Sequence, residues 1–243
     1  MRSLALTLLL AAVLSLGLLP AHAAGPGPLR VLFWTRGITL DDQYNQELQA
    51  QGISVDQKPL TTALSLAELK AYNLVVIPDF LTLDAQFEVG AVDVPTWWDV
   101  NLPNLRLYVQ AGGGLLVTSF FNQAGEALCA SLDRLLGPWG AGFRALEILD
   151  PAHIAKVDGM GAALKDRLLY CYTESITPHP VTQGVKRIYY PVVNLRWDDC
   201  YTTPPILCDR SWTPLVRAMA GAYDAKADKS YSWQDPLGHD DII

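Results

Sequence analysis

A chain of 243 residues with 50% hydrophobic content is long enough to bury a core of ordinary size, and it carries no repeat or low-complexity tract. Its 25 acidic residues outnumber 18 basic ones, giving a net charge of -7 at pH 7 with no basic run. That balance excludes nucleic acid as a partner, because Lys and Arg drive binding to a phosphate backbone, and it disfavours an anionic membrane surface.

The first 23 residues read as a leader. Arg2 precedes an apolar run from Leu4 to Leu19, and Ala21-His22-Ala23 supplies a small-residue exit, the pattern of a secretory signal peptide. The run is short for a membrane anchor, and Gly25-Pro26-Gly27-Pro28 behind the exit favours cleavage. The expected mature chain, residues 24–243, is a single secreted or periplasmic α/β domain with no membrane span. Losing Arg2 takes its net charge to -8 (-7 minus 1).

In the mature chain, Leu29 to Trp34 is a short apolar run expected to form the first strand, turning at Thr35-Arg36-Gly37. Asp41 to Gln51 reads as a helix with acids in its first turn, stopped by Gly52, and Ile53-Ser54-Val55 opens a second strand. Ser65 is placed to cap a helix over Leu64 to Ala71, and Tyr72 to Pro78 is the third strand, with Asp79-Phe80 at its tip. An acidic, aromatic insertion from Leu81 to Asn101 includes Trp97 and Trp98, which either stack on sugar rings or seal the domain edge. Leu105 to Gln110 ends an amphipathic helix, and Gly112-Gly113-Gly114 stops it and launches a buried strand from Leu115 to Phe120. A helix over Ala124 to Leu136 puts Leu128, Leu132, Leu135 and Leu136 on one face. Further strands are expected at Phe143 to Leu149 and at Trp212 to Ala220, with Arg167 to Thr173 a strand or a short helix and Tyr223 to Gly238 a polar loop.

Four cysteines, Cys129, Cys171, Cys200 and Cys208, are present, and an oxidising compartment permits disulfides. Cys200 and Cys208 flank the turn-rich Tyr201 to Leu207 and are the favoured pair, although four cysteines allow three pairings. Some can instead be buried free thiols, for which Cys129 in its apolar helix is the best candidate.

The order of Tyr72 to Pro78 after a Leu-rich helix, Tyr108 to Val117 with its glycines, Leu132 to Gly140, and His179-Pro180-Val181-Thr182-Gln183-Gly184-Val185 resembles the non-catalytic branch of the class I glutamine amidotransferase-like superfamily. Relatives in that branch include trehalose-utilisation-type domains and β-galactosidase middle domains. The resemblance implies a flavodoxin-like, three-layer αβα sandwich with a mainly parallel sheet. Such relatives continue into a further Gly-rich turn and strand, so the expected domain lacks its last strand and belongs to a longer exported protein.

Amidotransferases of this fold present a cysteine at a strained strand-to-helix turn, with histidine and glutamate further along. The matching turn here is Ser119-Phe120-Phe121-Asn122-Gln123, and no histidine precedes a glutamate by two positions: His153, His179 and His239 lead to Ala155, Val181 and Asp241. Glutamine hydrolysis is therefore not expected, and neither is a cofactor. Ser119 lacks a Gly-x-Ser-x-Gly context and a placed base, and His179 before Pro180 is expected to order a turn. Arg196-Trp197-Asp198-Asp199 and His239-Asp240-Asp241 carry polar chemistry without a spaced metal-ligand set. The expected function is a binding or interaction module for carbohydrate or a protein partner, using Thr35, Arg36, Asp79, Phe80, Trp97, Trp98, Ser119, Phe121, Asn122 and His179 at the carboxyl edge of the sheet. The alternative is an enzyme of carbohydrate metabolism using acids and His179 in that cleft.

Overall fold

Val31-Leu32-Phe33-Trp34 has no polar residue to turn toward water, as suits a central parallel strand covered on both faces. A computed structural model, which describes residues 28–35, 40–78, 97–118, 125–144, 146–155, 169–192, 203–225 and 235–236, places the run so. The strand β1 spans Leu29–Thr35, and Leu32, Phe33 and Trp34 are fully buried. The chain divides into two compact units after Ser119. The leader lies outside the described residues, and no helix among those described is long and apolar enough to cross a membrane.

The first unit is an α/β arrangement. After β1, helix α1 (Asp42–Ala50) starts at Asp41, whose Oδ1 accepts from the Tyr44 N–H at 3.1 Å. Strand β2 (Ile53–Pro59) then pairs parallel to β1, and Trp34 Nε1 donates to the Pro59 carbonyl at 3.0 Å. Ser65 caps the single-turn helix α2 (Leu66–Leu69) through a capping box: its Oγ accepts from the Glu68 N–H, and Glu68 Oε2 accepts from the Ser65 N–H at 2.8 Å. Strand β3 (Leu74–Ile77) follows, entirely buried. The sheet is all parallel in the order β2-β1-β3-β4, where β4 is Gly114–Val117. Every connection returns to the same end of the sheet, as parallel pairing requires.

Helix α3 (Leu102–Gln110) is entered by one wide turn at Trp97–Asn101. Asn101 is buried and clamps the approach to α2, accepting from the Leu64 N–H at 2.8 Å and donating to the Thr62 carbonyl at 3.0 Å. The helix stops at Gly112, which takes the left-handed φ of 92°. Gly113 is required for a different reason. A Cβ there would sit 2.2 Å from Cζ of Tyr108, whose ring occupies that space. The Tyr108 hydroxyl lies 3.2 Å from the carbonyls of both Tyr72 and Gly114, and its burial pushes the phenol pKa well above its ordinary range.

The second unit is built from small antiparallel pairings. Helix α4 (Gly125–Leu136) buries Cys129, Leu132, Leu135 and Leu136 and ends in a tight turn at Gly137–Trp139. Gly140 then adopts a left-handed φ of 72°, with the Asp209 carboxylate occupying the place of a Cβ. The expected single strand over Phe143 to Leu149 is two strands with different partners. Strand β5 (Ala141–Phe143) pairs with β10 (Ile206–Cys208), and β6 (Glu147–Leu149) pairs with β11 (Tyr223–Ala225), itself paired with β12 (Asp235–Pro236). The chain changes sheets between them, so the expected polar loop from Tyr223 to Gly238 contributes strands.

A third sheet contains β7 (Ile154–Ala155), β8 (Leu169–Thr173) and β9 (Ile188–Val192) in that order, all antiparallel, so Arg167 to Thr173 provides a strand. Within the expected strand at Trp212 to Ala220, the described residues form no extended strand but pair by bridging, Val216 with Ile176 among them. Asp209 explains its irregular start by holding the Ser211 N–H at 2.8 Å, and Pro214 has no N–H to give a ladder. The four-stranded parallel sheet with its helices is thus the α/β element of the chain.

Two outcomes follow. Gly113→Ala should destabilise the chain by about 1–3 kcal/mol through overpacking against Tyr108, and urea unfolding should show a smaller cost in a Tyr108→Leu background. Ser65→Ala should cost about 1 kcal/mol at neutral pH. The Ser65 backbone and hydroxyl groups hold the Glu68 carboxyl below its ordinary 4.5, so its share is present above that pH and fades as pH falls through the lowered value. Stability measured against pH should show the Ser65→Ala deficit narrowing only on that acidic side.

Candidate functional site

The residues expected at the carboxyl edge of the parallel sheet are only partly described. Thr35 ends β1 and is buried, with its carbonyl accepting from the Leu60 N–H at 2.8 Å. Trp98 is also buried, only 5% exposed, so neither ring face is open to a ligand in this conformation. Trp97 contributes backbone to the wide turn, and its side chain is outside the described residues, as are Arg36, Asp79, Phe80, Ser119, Phe121 and Asn122. The Arg196 to Asp199 and His239 to Asp241 clusters are outside them too.

His179 belongs to the second unit and orders a turn. It caps the short turn Pro180–Thr182, its Nδ1 accepting from the Val181 N–H at 3.2 Å while Thr182 Oγ1 accepts from the His179 N–H at 3.0 Å. That occupies Nδ1 with a backbone donor, where a catalytic histidine would engage a carboxylate.

Cys129, Cys171 and Cys208 are free thiols, and Cys200, the expected partner of Cys208, is outside the described residues. Burial pushes the Cys129 thiol up to about 11, with the Asp133 charge adding to it, and burial likewise raises Cys171 to about 11. Neither is a nucleophile near neutral pH, because the reactive species is the thiolate.

A cluster that the sequence reading did not single out lies on the third sheet. Strand alternation turns Cys171, Thr173 and Tyr190 into the core and Tyr172 and Tyr189 outward. Tyr172 and Tyr189 are register partners with ring centroids 6.2 Å apart. Tyr189 is 42% exposed, whereas Tyr170, further along the same face, is buried, so the open end is that of the Tyr172–Tyr189 pair. Glu174 leaves β8 and Arg187 enters β9 beside this pair. The Arg187 guanidinium lies 4.2 Å from the Tyr172 ring centroid, and its Nε donates to Glu174 Oε1 at 2.9 Å. Its Nη2 donates to the same oxygen, and its Nη1 lies 3.5 Å from the Tyr189 hydroxyl. Hydrogen bonds to Tyr189 and then Glu174 push the guanidinium pKa further up, so Arg187 is a permanent cation.

His153 completes the face. Its ring meets Tyr172 edge-on with centroids 5.4 Å apart, and its Nδ1 lies 2.7 Å from Asp150 Oδ2. The Asp150 side chain is fully buried, while His153 keeps 23% of its side chain exposed. Asp150 Oδ1 accepts from the Ala152 N–H at 3.2 Å, and its carbonyl accepts from Cys171 Sγ at 3.1 Å. The Asp150 contact fixes the ring through Nδ1, so Nε2 is the ring nitrogen available to another partner.

Comparison with protein-family models, with curated proteins and with solved structures found no match. The chemistry of this face therefore rests on its own geometry. The aromatic alternation in Leu169-Tyr170-Cys171-Tyr172-Thr173 was the available signal, but only the register with β9 brings Arg187, Tyr189 and Glu174 together.

Asp150→Ala should cost about 2 kcal/mol, since it removes charged hydrogen bonds from inside the fold; thermal unfolding measures it. Native-state alkylation at about pH 7.5 should leave Cys129 and Cys171 unmodified until denaturant is added, read by mass spectrometry.

Proposed function

We propose that this chain is an exported binding module for carbohydrate, built on a flavodoxin-like αβα arrangement of the amidotransferase-like superfamily and without amidotransferase activity. The leader pattern supports export, and the order β2-β1-β3-β4 matches the first four strands of the flavodoxin-like arrangement. The observation that carries the binding role is the exposed Tyr189 ring beside Tyr172, with Arg187, Glu174 and His153 at its margin. Tyrosine rings offer an apolar face to the C–H surface of a pyranose, and fixed polar groups at their margin orient its hydroxyls. This reading uses the outer face of the β8–β9 pair, while most of the residues expected at the carboxyl edge of the parallel sheet lie outside the described residues.

A second reading, an enzyme of carbohydrate metabolism, is favoured by one contact, the 2.7 Å pairing of His153 with buried Asp150. That geometry orients a general base, whereas His179 spends its Nδ1 on a turn. Glycan-array screening of the full chain, followed by calorimetry, separates the readings. The binding module predicts saturable saccharide binding that falls at least about tenfold in Tyr189→Ala and no turnover. Hydrolysis of a bound saccharide that disappears in His153→Ala would favour the enzyme, and absence of saccharide binding would overturn both.

A further inference from the structure

The Arg187 charge on the β8–β9 face is already matched by Glu174, and this constrains what the face takes. Resting on the saccharide-binding reading, we infer that the site selects neutral saccharides and rejects acidic ones, with Glu174 as the residue that sets the discrimination. Arg187 is the only permanent cation in the described cluster, and Glu174 occupies it through two donors on one oxygen, Oε1. A uronate or sulfate group arriving at Arg187 must compete with a carboxylate already in contact with it. Behind His153, the buried Asp150 carboxylate adds a second anion. Lys186 neighbours Arg187 in sequence, but no ion pair brings it into the cluster among the described residues.

A neutral pyranose meets no such competition. Glu174 keeps Oε2 as an acceptor, and a guanidinium has five N–H donors, of which Arg187 commits two to Glu174 and directs another toward Tyr189. An acceptor beside fixed donors is complementary to a pair of vicinal hydroxyls, each of which both gives and takes a hydrogen bond. His153 adds a further polar ring edge-on to Tyr172, held in place by Asp150 through Nδ1. Glu174 matches the Arg187 charge while the polar groups remain dense, which favours hydroxyl recognition over ion pairing.

The test titrates the full chain with neutral gluco-, galacto-, manno- and xylo-oligosaccharides and with uronic-acid oligosaccharides of matched length. The wild-type chain should bind a neutral saccharide at least about tenfold more tightly than its uronic-acid counterpart. That neutral affinity should be unchanged between low and high salt, because no counterion is displaced. Glu174→Gln, an exposed isosteric change, should weaken the neutral ligand and strengthen the acidic one, narrowing or reversing the preference. Preference of the wild-type chain for an acidic saccharide, or a Glu174→Gln variant with unaltered preference, would overturn the inference while leaving saccharide binding intact. Failure of every saccharide of both kinds to bind would instead overturn the binding reading on which it rests.

Discussion

The Tyr108 hydroxyl, reaching across Gly113 to the carbonyls of Tyr72 and Gly114, ties helix α3 to two neighbouring strands at once. Tyr72 and Asn73 lead into β3 and Gly114 begins β4, and the Gly114 N–H donates to the Asn73 carbonyl at 3.0 Å. The register of the sheet's last described pairing is therefore set where the phenol sits. One such hydrogen bond contributes little by itself. Losing it strands buried carbonyls away from water, and that asymmetry gives the position its weight.

What could be read in the sequence was the local punctuation of the parallel unit. Asp41 and Ser65 announce helix starts because their short side-chain oxygens accept from N–H groups three residues further on, and Gly52 and Gly112 announce stops because both take positive φ. Asn101 could not be read, because its two partners, Thr62 and Leu64, are distant in sequence and the side chain acts on their backbone. In the second unit, Phe143 to Leu149 looks continuous because alternation says nothing about partners, yet its two ends belong to different sheets. Trp212 to Ala220 fails as a strand because the Asp209 turn and Pro214 disrupt the backbone before pairing can extend.

The β8–β9 face shows why a surface site is harder to read than a core. Its outward groups are ordinary residues individually, and only cross-strand register assembles them. Asp150 links that surface to the interior: its backbone carbonyl receives the Cys171 thiol, while its carboxylate holds His153. Movement of the imidazole is thereby resisted by packing around Ile148, Leu149, Cys171 and Tyr190. A polar group at a ligand face gains precision when something rigid holds it, which lowers the entropy lost on contact.

The change of sheet between β5 and β6 also bears on the order in which the chain can fold. In the first unit each new strand pairs with one already synthesised, β2 and β3 with β1 and β4 with β3, so pairing can proceed as these residues leave the ribosome. Strands β5 and β6 have no such nearby partners; β10 begins at Ile206 and β11 at Tyr223. Until those segments are synthesised, two short strands wait with open edges. The late closure of the second unit makes nascent-chain misassembly, more than native-state instability, the hazard built into this topology.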